Sequence, residues 1–445
     1  MKNKRMIAIP PEDVELFGRR QLLQQTSALT GYLSLSSILG ANSVRSQSVD
    51  YTLSKNLVWI RMAGGWDTLE TTDPKPASTA NIQMIYDWSQ AHSLTSGSDI
   101  KVGRWFPKIA SHGEDILLLR GMAMGTNSHN AGTVYMDTGV LSNAGRVASA
   151  SIPAIVASEG EATIPMIVLN GGQTPQTDRG LLNPVSVVRA NNLDLYRSMY
   201  PTEDDAIERS LRMLDYLQGS LTRVQDERGS NDRLTQLVAA EDKVRRQFMD
   251  NVGMRLQVED TDIQPFLTGA PTNFRRGDAE NLALALKLLR GGVCNVMSLG
   301  IGGFDTHSNQ TNNLQPILES TDHNLDVFLT GLKAAGLLDS TIVVLHSEFA
   351  RTPRVNNSNG RDHWSVGGAM MIGGGIQGGR AVGATDDNYR AVNISLETGL
   401  PDASGEQLNP THLAGSLLDL TLGSNYASLR TYLSSIPALT RLKNS

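Results

Sequence analysis

Val293-Cys294-Asn295-Val296-Met297-Ser298-Leu299 runs on, after two further residues, into Gly302-Gly303-Phe304-Asp305-Thr306-His307. The first stretch is nearly all apolar, as a strand must be when helices cover both faces of its sheet. The second turns on glycine and then sets a carboxylate and an imidazole two residues apart. On an extended segment those two side chains lie on one side, within reach of a single metal ion. A buried strand whose end delivers polar groups is the pattern of an open α/β sheet, in which ligands bind beyond the carboxyl ends of the strands.

The same pattern recurs outward from this segment. Candidate strands at Leu57–Met62, Ile116–Leu119, Met166–Leu169, Thr341–Leu345 and Ala369–Ile372 alternate with helical patterns at Ala279–Arg290, Leu314–Ala335 and Thr411–Leu420. That alternation predicts a doubly wound, mostly parallel sheet covered by helices. Between Thr202 and Leu256 the chain is charged and helix-prone, with Leu211, Leu214, Leu217, Leu221 and Val224 at helical spacing. This stretch reads as a helical insertion at about 202–256 of a domain spanning 49–445.

With 40% hydrophobic and 19% charged residues, the 445-residue chain can bury a large core and is not a disordered protein. Its net charge of −6 and its lack of basic stretches interleaved with aromatics exclude a nucleic-acid partner. A single cysteine, Cys294, excludes a disulfide scaffold. Gly18-Arg19-Arg20-Gln21-Leu22-Leu23 opens a weakly apolar, hydroxyl-containing stretch, followed by small polar residues to Ser48. Residues 1–48 therefore read as a twin-arginine export signal cleaved between Ala41 and Ser48, too polar to be a stable transmembrane anchor. The expected location is periplasmic or extracellular, reached through the twin-arginine export machinery.

Candidate chemistry follows the strands. Gly64-Gly65-Trp66-Asp67 comes after the first, Asp305 and His307 after the Val293 strand, and His346-Ser347-Glu348-Phe349 after the Thr341 strand. A turn-rich loop at 356–360 then leads to Arg361-Asp362-His363-Trp364. Together they offer a plausible ligand set for a divalent cation; single post-strand acids more often cap helices, but the Asp/His pairs do not fit that role. His92, His112, His323 and His412 read as surface or packing residues. Asn127-Ser128-His129-Asn130 precedes a helical pattern, where free N–H groups favour an anion such as phosphate or sulfate, with helix capping by Ser128 as the simpler reading. Gly373-Gly374-Gly375-Ile376-Gln377-Gly378 satisfies G-x-G-x-x-G, but no apolar-striped helix follows, so it reads as a turn and not as a dinucleotide site.

The segments Gly64-Gly65-Trp66-Asp67, Gly303-Phe304-Asp305-Thr306-His307, Ser347-Glu348-Phe349-Ala350-Arg351-Thr352-Pro353 and Asp362-His363 resemble the bacterial family called domain of unknown function 1501. That family is similar to the alkaline phosphatase and sulfatase superfamily. The resemblance implies an alkaline phosphatase-like α/β sandwich with one or two divalent metal ions (Zn, Mn, Ca or Mg) at the strand ends. It implies Asp67, Asp305, His307, Asp362 and His363 as metal ligands, Glu348 as a ligand or base, and Ser128 or His129 as the group that attacks or orients water. Arg351 is then expected to steady anionic oxygens, with a surface salt bridge as the alternative. The expected function is hydrolysis of a small phosphate or sulfate ester; the alternative is a secreted binding or assembly protein with a degenerate site. The Pro and Arg of the formylglycine signature are absent near His129, which excludes a sulfatase of that type, and Ser347-Glu348-Phe349 replaces an expected Asp-His or Asp-Asn pair.

Overall fold

The computed structural model describes residues 56–423 except 77–80, 143–148, 161, 171–186, 190–202 and 230–231, so the expected export signal lies outside the described residues. The chain divides into two compact units. In one, the described residues form helices α3 (Asp204–Arg228) and α4 (Asp232–Met249). Leu214, Val244 and Phe248 join them in a small apolar cluster. Arg245 of α4 bridges Asp215 at 2.6 Å and Glu241 at 2.8 Å.

The described residues of the other unit form an eight-stranded sheet. Its strands are β1 (Asn56–Ala63), β2 (Ile116–Ala123), β3 (Met166–Leu169), β4 (Val187–Arg189), β5 (Val296–Gly302), β6 (Thr341–His346), β7 (Val366–Gly373) and β8 (Arg380–Val382), in the order β8-β2-β7-β6-β1-β5-β3-β4. Its longer helices among the described residues are α1 (His129–Thr138), α2 (Ile152–Ser158), α5 (Asp260–Leu267), α6 (Arg276–Arg290), α7 (Gln310–Ala334) and α8 (Pro410–Leu422). The expected strands and crossover helices all form, and the α/β reading holds.

Both faces of the sheet are buried. Leu57 and Trp59 of β1 and Ile342 and Val344 of β6 join Ala154 and Ile155 of α2 and Leu413 and Leu417 of α8 in one apolar cluster. The alternate residues Val58, Ile60, Val343 and Leu345 are equally inaccessible. Each such side chain contributes roughly 1.5–3 kcal/mol by leaving water, so the central strands are the stable part of the molecule. The helix α6 buries Leu282, Leu286 and Leu289 along one stripe, with Asp278 in its first turn and Lys287 and Arg290 in its last, matching the helix dipole.

Strand β7 alone runs against the others: it pairs antiparallel with both β2 and β6, whereas every other pair in the sheet is parallel. The physical reason lies in the connection. A parallel neighbour needs a crossover, usually a helix. The chain from β6 to β7 holds instead a small hairpin pairing Ala350–Arg351 with His363–Trp364. It therefore re-enters the sheet at the edge where β6 left it. The start of β7 thus stands beside the carboxyl ends of β1, β5 and β6. At the end of β7, Gly373, Gly374 and Gly375 all have positive φ (73°, 60° and 65°), forming the turn expected of the glycine tract.

Candidate metal centre

Four chain segments meet at this edge. Gly64, with φ 119°, brings the loop after β1 so close to the loop after β5 that a Cβ there would stand 2.4 Å from the Asp305 backbone nitrogen. Gly132 lets α1 approach the end of β6, since a Cβ on it would lie 2.0 Å from the Glu348 carbonyl oxygen. These close approaches put His129 at the start of α1, Asp305 and His307 after β5, Glu348 after β6 and His363 before β7 at one place.

Three imidazoles are oriented in the same way. His129 Nδ1 bonds Glu348 Oε1 at 2.9 Å, His307 Nδ1 bonds Asp362 Oδ1 at 2.8 Å, and His363 Nδ1 bonds the Asn127 carbonyl oxygen at 2.8 Å. Each ring therefore turns Nε2 the other way, toward Asp305. His129 Nε2 is 3.7 Å from Asp305 Oδ2, while His307 Nε2 and His363 Nε2 are 3.1 and 3.5 Å from Asp305 Oδ1 and 3.0 Å from each other. Donor atoms of His129, Asp305 and His363 all lie within 4.8 Å of one another. Donors of a tetrahedral ion with bonds of about 2.0–2.1 Å stand about 3.3 Å apart, close to the 3.1–3.7 Å that separate the three Nε2 atoms from the Asp305 oxygens, so these residues could hold one metal ion. Orienting a ring by bonding its second nitrogen to a carboxylate or carbonyl is the usual way a protein prepares histidine for a metal.

The surroundings support the cluster. Phe349 is buried and lies under two of the rings, 4.3 Å from His363 and 4.7 Å from His129 between centroids. Arg351 Nη2 donates to Asp305 Oδ1 at 2.6 Å. Partial burial pushes the Asp305 carboxyl up, but the Arg351 hydrogen bond and charge, with His129 and His307, outweigh it and hold it below 3.8. Asp362 is likewise lowered, chiefly by its bonds from His307 and Asn356. Side-chain exposures of 40% for His129, 48% for His307 and 51% for Asp305 leave the cluster open to solvent.

The sequence profile of the family described as "Protein of unknown function (DUF1501)" matches residues 54–397. The chain belongs to that family. No curated protein matches it in sequence. Among solved structures, this DUF1501 chain is similar to an alkaline phosphatase superfamily protein from Vibrio parahaemolyticus (10% identity, 89% of this chain and 75% of that one, TM-score 0.36). It is also similar to the lipoteichoic acid synthase LtaP from Listeria monocytogenes (8%, 92% and 99%, 0.36). A third is the PsFucS1 sulfatase from Pseudoalteromonas sp. (9%, 95% and 76%, 0.35).

The DUF1501 structure distributes the remaining candidate residues differently. Asp67 is set apart from the three-residue group: its Oδ1 accepts from Leu69 N at 2.9 Å, and its Oδ2 accepts from Gln310 Nε2 at 2.6 Å and faces Arg361 Nε at 3.0 Å. Burial pushes this carboxyl up, against the opposing pull of Arg361. Arg351 is fully buried and spends its donors inward, with Nε on the Gly65 carbonyl at 2.9 Å, Nη1 on the Arg361 carbonyl at 3.0 Å and Nη2 on Asp305 and the Gly64 carbonyl. Its guanidinium ties Asp305 to the backbone of the loops around Gly64, Gly65 and Arg361. Glu348 is also buried, and it accepts from Gly64 N at 2.9 Å as well as from His129. Ser128 is exposed at the helix start and makes no side-chain cap bond there. His346 is buried against Trp59, with 4.1 Å between ring centroids. Of the four histidines read as surface or packing residues, His112 faces Asp326 at 2.9 Å, His412 faces Glu406 at 3.7 Å, and His323, which follows Asp322 in the chain, bonds the Phe266 carbonyl at 2.8 Å. Sequence reasoning missed Phe349, Asn127, Gln310 and Asn356; the asparagine-rich turn before Asp362 was the one visible signal among them.

Proposed function

We propose that this chain is an exported, divalent-metal-dependent hydrolase of phosphate or sulfate esters. The observation that carries the reading is the convergence of three imidazole Nε2 atoms on Asp305 in an open position at the sheet edge. His129, Asp305, His307 and His363 would hold the metal, and three imidazoles with one carboxylate suit zinc better than magnesium or calcium. When bound, such an ion supplies a Lewis acid for an ester oxygen and lowers the pKa of a bound water. Glu348 and Asp362 keep the Nδ1 protons of His129 and His307 turned away from the centre. Phe349 keeps water out from beneath the rings, and Ser128 offers an exposed hydroxyl beside His129.

Elemental analysis of the mature protein, beside the Asp305→Ala/His363→Ala double variant, tests the centre. One zinc per chain that the variant loses, together with turnover of an aryl phosphate or aryl sulfate, is the expected result. No bound metal in the wild-type protein overturns the reading. A second reading, a secreted binding protein with a structural ion, is favoured by Arg351 having turned its donors inward; stoichiometric metal without turnover of any ester selects it. Export rests on Arg19-Arg20 and the stretch that follows. A reporter fused to residues 1–50 is expected to leave the cytoplasm, and Arg19→Lys/Arg20→Lys is expected to stop it.

A further inference from the structure

Behind the candidate centre lies a second set of charged groups that the hydrolase reading leaves without a part. Asp67 and Arg361 are paired at 3.0 Å with both side chains at 0% exposure. Burying two charges is expensive, and breaking such a pair leaves the survivor uncompensated, so a pair at this position constrains whatever is attached to it. What is attached is the pair of loops that carry the donors. Gln310 donates to Asp67 Oδ2 at 2.6 Å and accepts from Thr306 Oγ1 at 2.5 Å. Thr306 stands between Asp305 and His307. Arg361 immediately precedes Asp362-His363, and its backbone nitrogen donates to the Thr306 carbonyl at 3.0 Å. Its Nη1 also bonds the Thr352 carbonyl at 2.6 Å, tying the pair to the hairpin that leads from β6.

We propose that Asp67, Gln310 and Arg361 act as one buried positioning unit that sets the spacing between the Asp305–His307 loop and the Asp362–His363 loop, with Asp67 holding no metal itself. The inference rests on the metal reading for its consequence, but not for its structure. One carboxylate gathers Thr306 through Gln310 on one side and Arg361 on the other. Both donor loops therefore move together or not at all. The 3.0 Å separation of His307 Nε2 from His363 Nε2, atoms on the two loops, is what the unit would maintain.

The test compares Asp67→Asn, Arg361→Gln and the double variant by competition titration of Zn2+ against a chelating dye. Amide hydrogen exchange is measured on the same proteins without metal. Each single change is expected to weaken Zn2+ binding by about 10–100-fold, as loss of outer-shell partners does. The double variant is expected to recover at least tenfold over the weaker single, because no charge is left unpaired. Without metal, Asp67→Asn is expected to speed exchange at 305–310 and 361–363 together. If Asp67→Asn and the double variant lose Zn2+ equally while Arg361→Gln binds like wild type, Asp67 is a ligand and the proposal is wrong. It is equally wrong if faster exchange stays confined to 67–73. Should the wild-type protein bind no Zn2+, the metal reading fails and the exchange result alone decides this one. Gln310→Met, which cuts only the Thr306 branch, serves if the charge variants do not fold; it is expected to loosen 305–310 and leave 361–363 protected, and equal loosening of both or of neither refutes the unit.

Discussion

Replacing Glu348 by glutamine isolates the part that a buried charge plays in preparing His129. The carboxylate is 3% exposed; Oε1 accepts from His129 Nδ1 and Gly64 N, each at 2.9 Å, and Oε2 lies 3.1 Å from Ser347 Oγ. A glutamine has the same outline and keeps the first two bonds through its oxygen. Its amide nitrogen then faces Ser347 Oγ, whose proton can go wholly to the Met62 carbonyl at 2.6 Å while its oxygen accepts. No polar atom is orphaned, so the fold should lose less than about 1 kcal/mol. What disappears is the negative charge that makes His129 a better donor. Outer-shell changes of this kind cost about 10–100-fold in metal affinity, or roughly 1.4–2.8 kcal/mol. Competition titration with Zn2+, paired with urea unfolding of the metal-free protein, reads both quantities. Zinc binding within twofold of wild type in a normally stable Glu348→Gln protein would falsify the role given to Glu348 and His129.

Gly132→Ala should force α1 away from the Glu348 carbonyl, which a Cβ would approach to 2.0 Å. The expected loss is about 1–3 kcal/mol in urea unfolding despite alanine's better helix propensity, and an unchanged midpoint would refute the close approach. Adding Zn2+ to a free concentration of 100 times its dissociation constant should stabilise the protein by about 2.7 kcal/mol, a gain reversed by chelation and absent in the Asp305→Ala/His363→Ala variant. Burial pushes the Asp137 carboxyl from 3.8 to about 7, opposed by its bond from Trp59 and the charge of Arg61. The folded protein thus holds a proton that the unfolded chain has already released. This contribution is full below about pH 4 and is lost as pH rises to about 7, at most about 4 kcal/mol. Asp137→Asn keeps an acceptor for Trp59 Nε1, so its advantage over wild type should grow between pH 4.5 and 7.5; parallel stability curves would contradict this.

The strands β1, β5 and β6 were legible because burial on both faces leaves an uninterrupted apolar run. The direction of β7 was not. Side-chain pattern reports which faces are covered and is blind to polarity, which here depends on what joins Leu345 to Ala369. The absence of a helical pattern between them was the available clue. At the site, the Asp/His spacing was the sequence signal for Asp305, His307 and His363, and the structure brings those side chains together. The division of labour among the acids could not. Asp67, Glu348 and Asp362 are alike in sequence terms, each a carboxylate near a strand end. Their differences come from Arg361, His129 and His307, partners supplied by distant parts of the chain.

The reversed strand also bears on when the centre comes into being. His363 takes its orientation from Asn127, a residue 236 positions earlier, and reaches it only because β7 is laid down beside β6 and β2. Contacts of such long sequence separation are reached late, after the chain has met the entropy cost of closing the loops between them. A chain in which β7 has not yet paired would have His129, Asp305 and His307 in place while His363 is not yet held against Asn127. If the centre binds metal as proposed, uptake should follow the docking of β7, and a chromophoric ion such as Co2+ added during refolding would mark that moment.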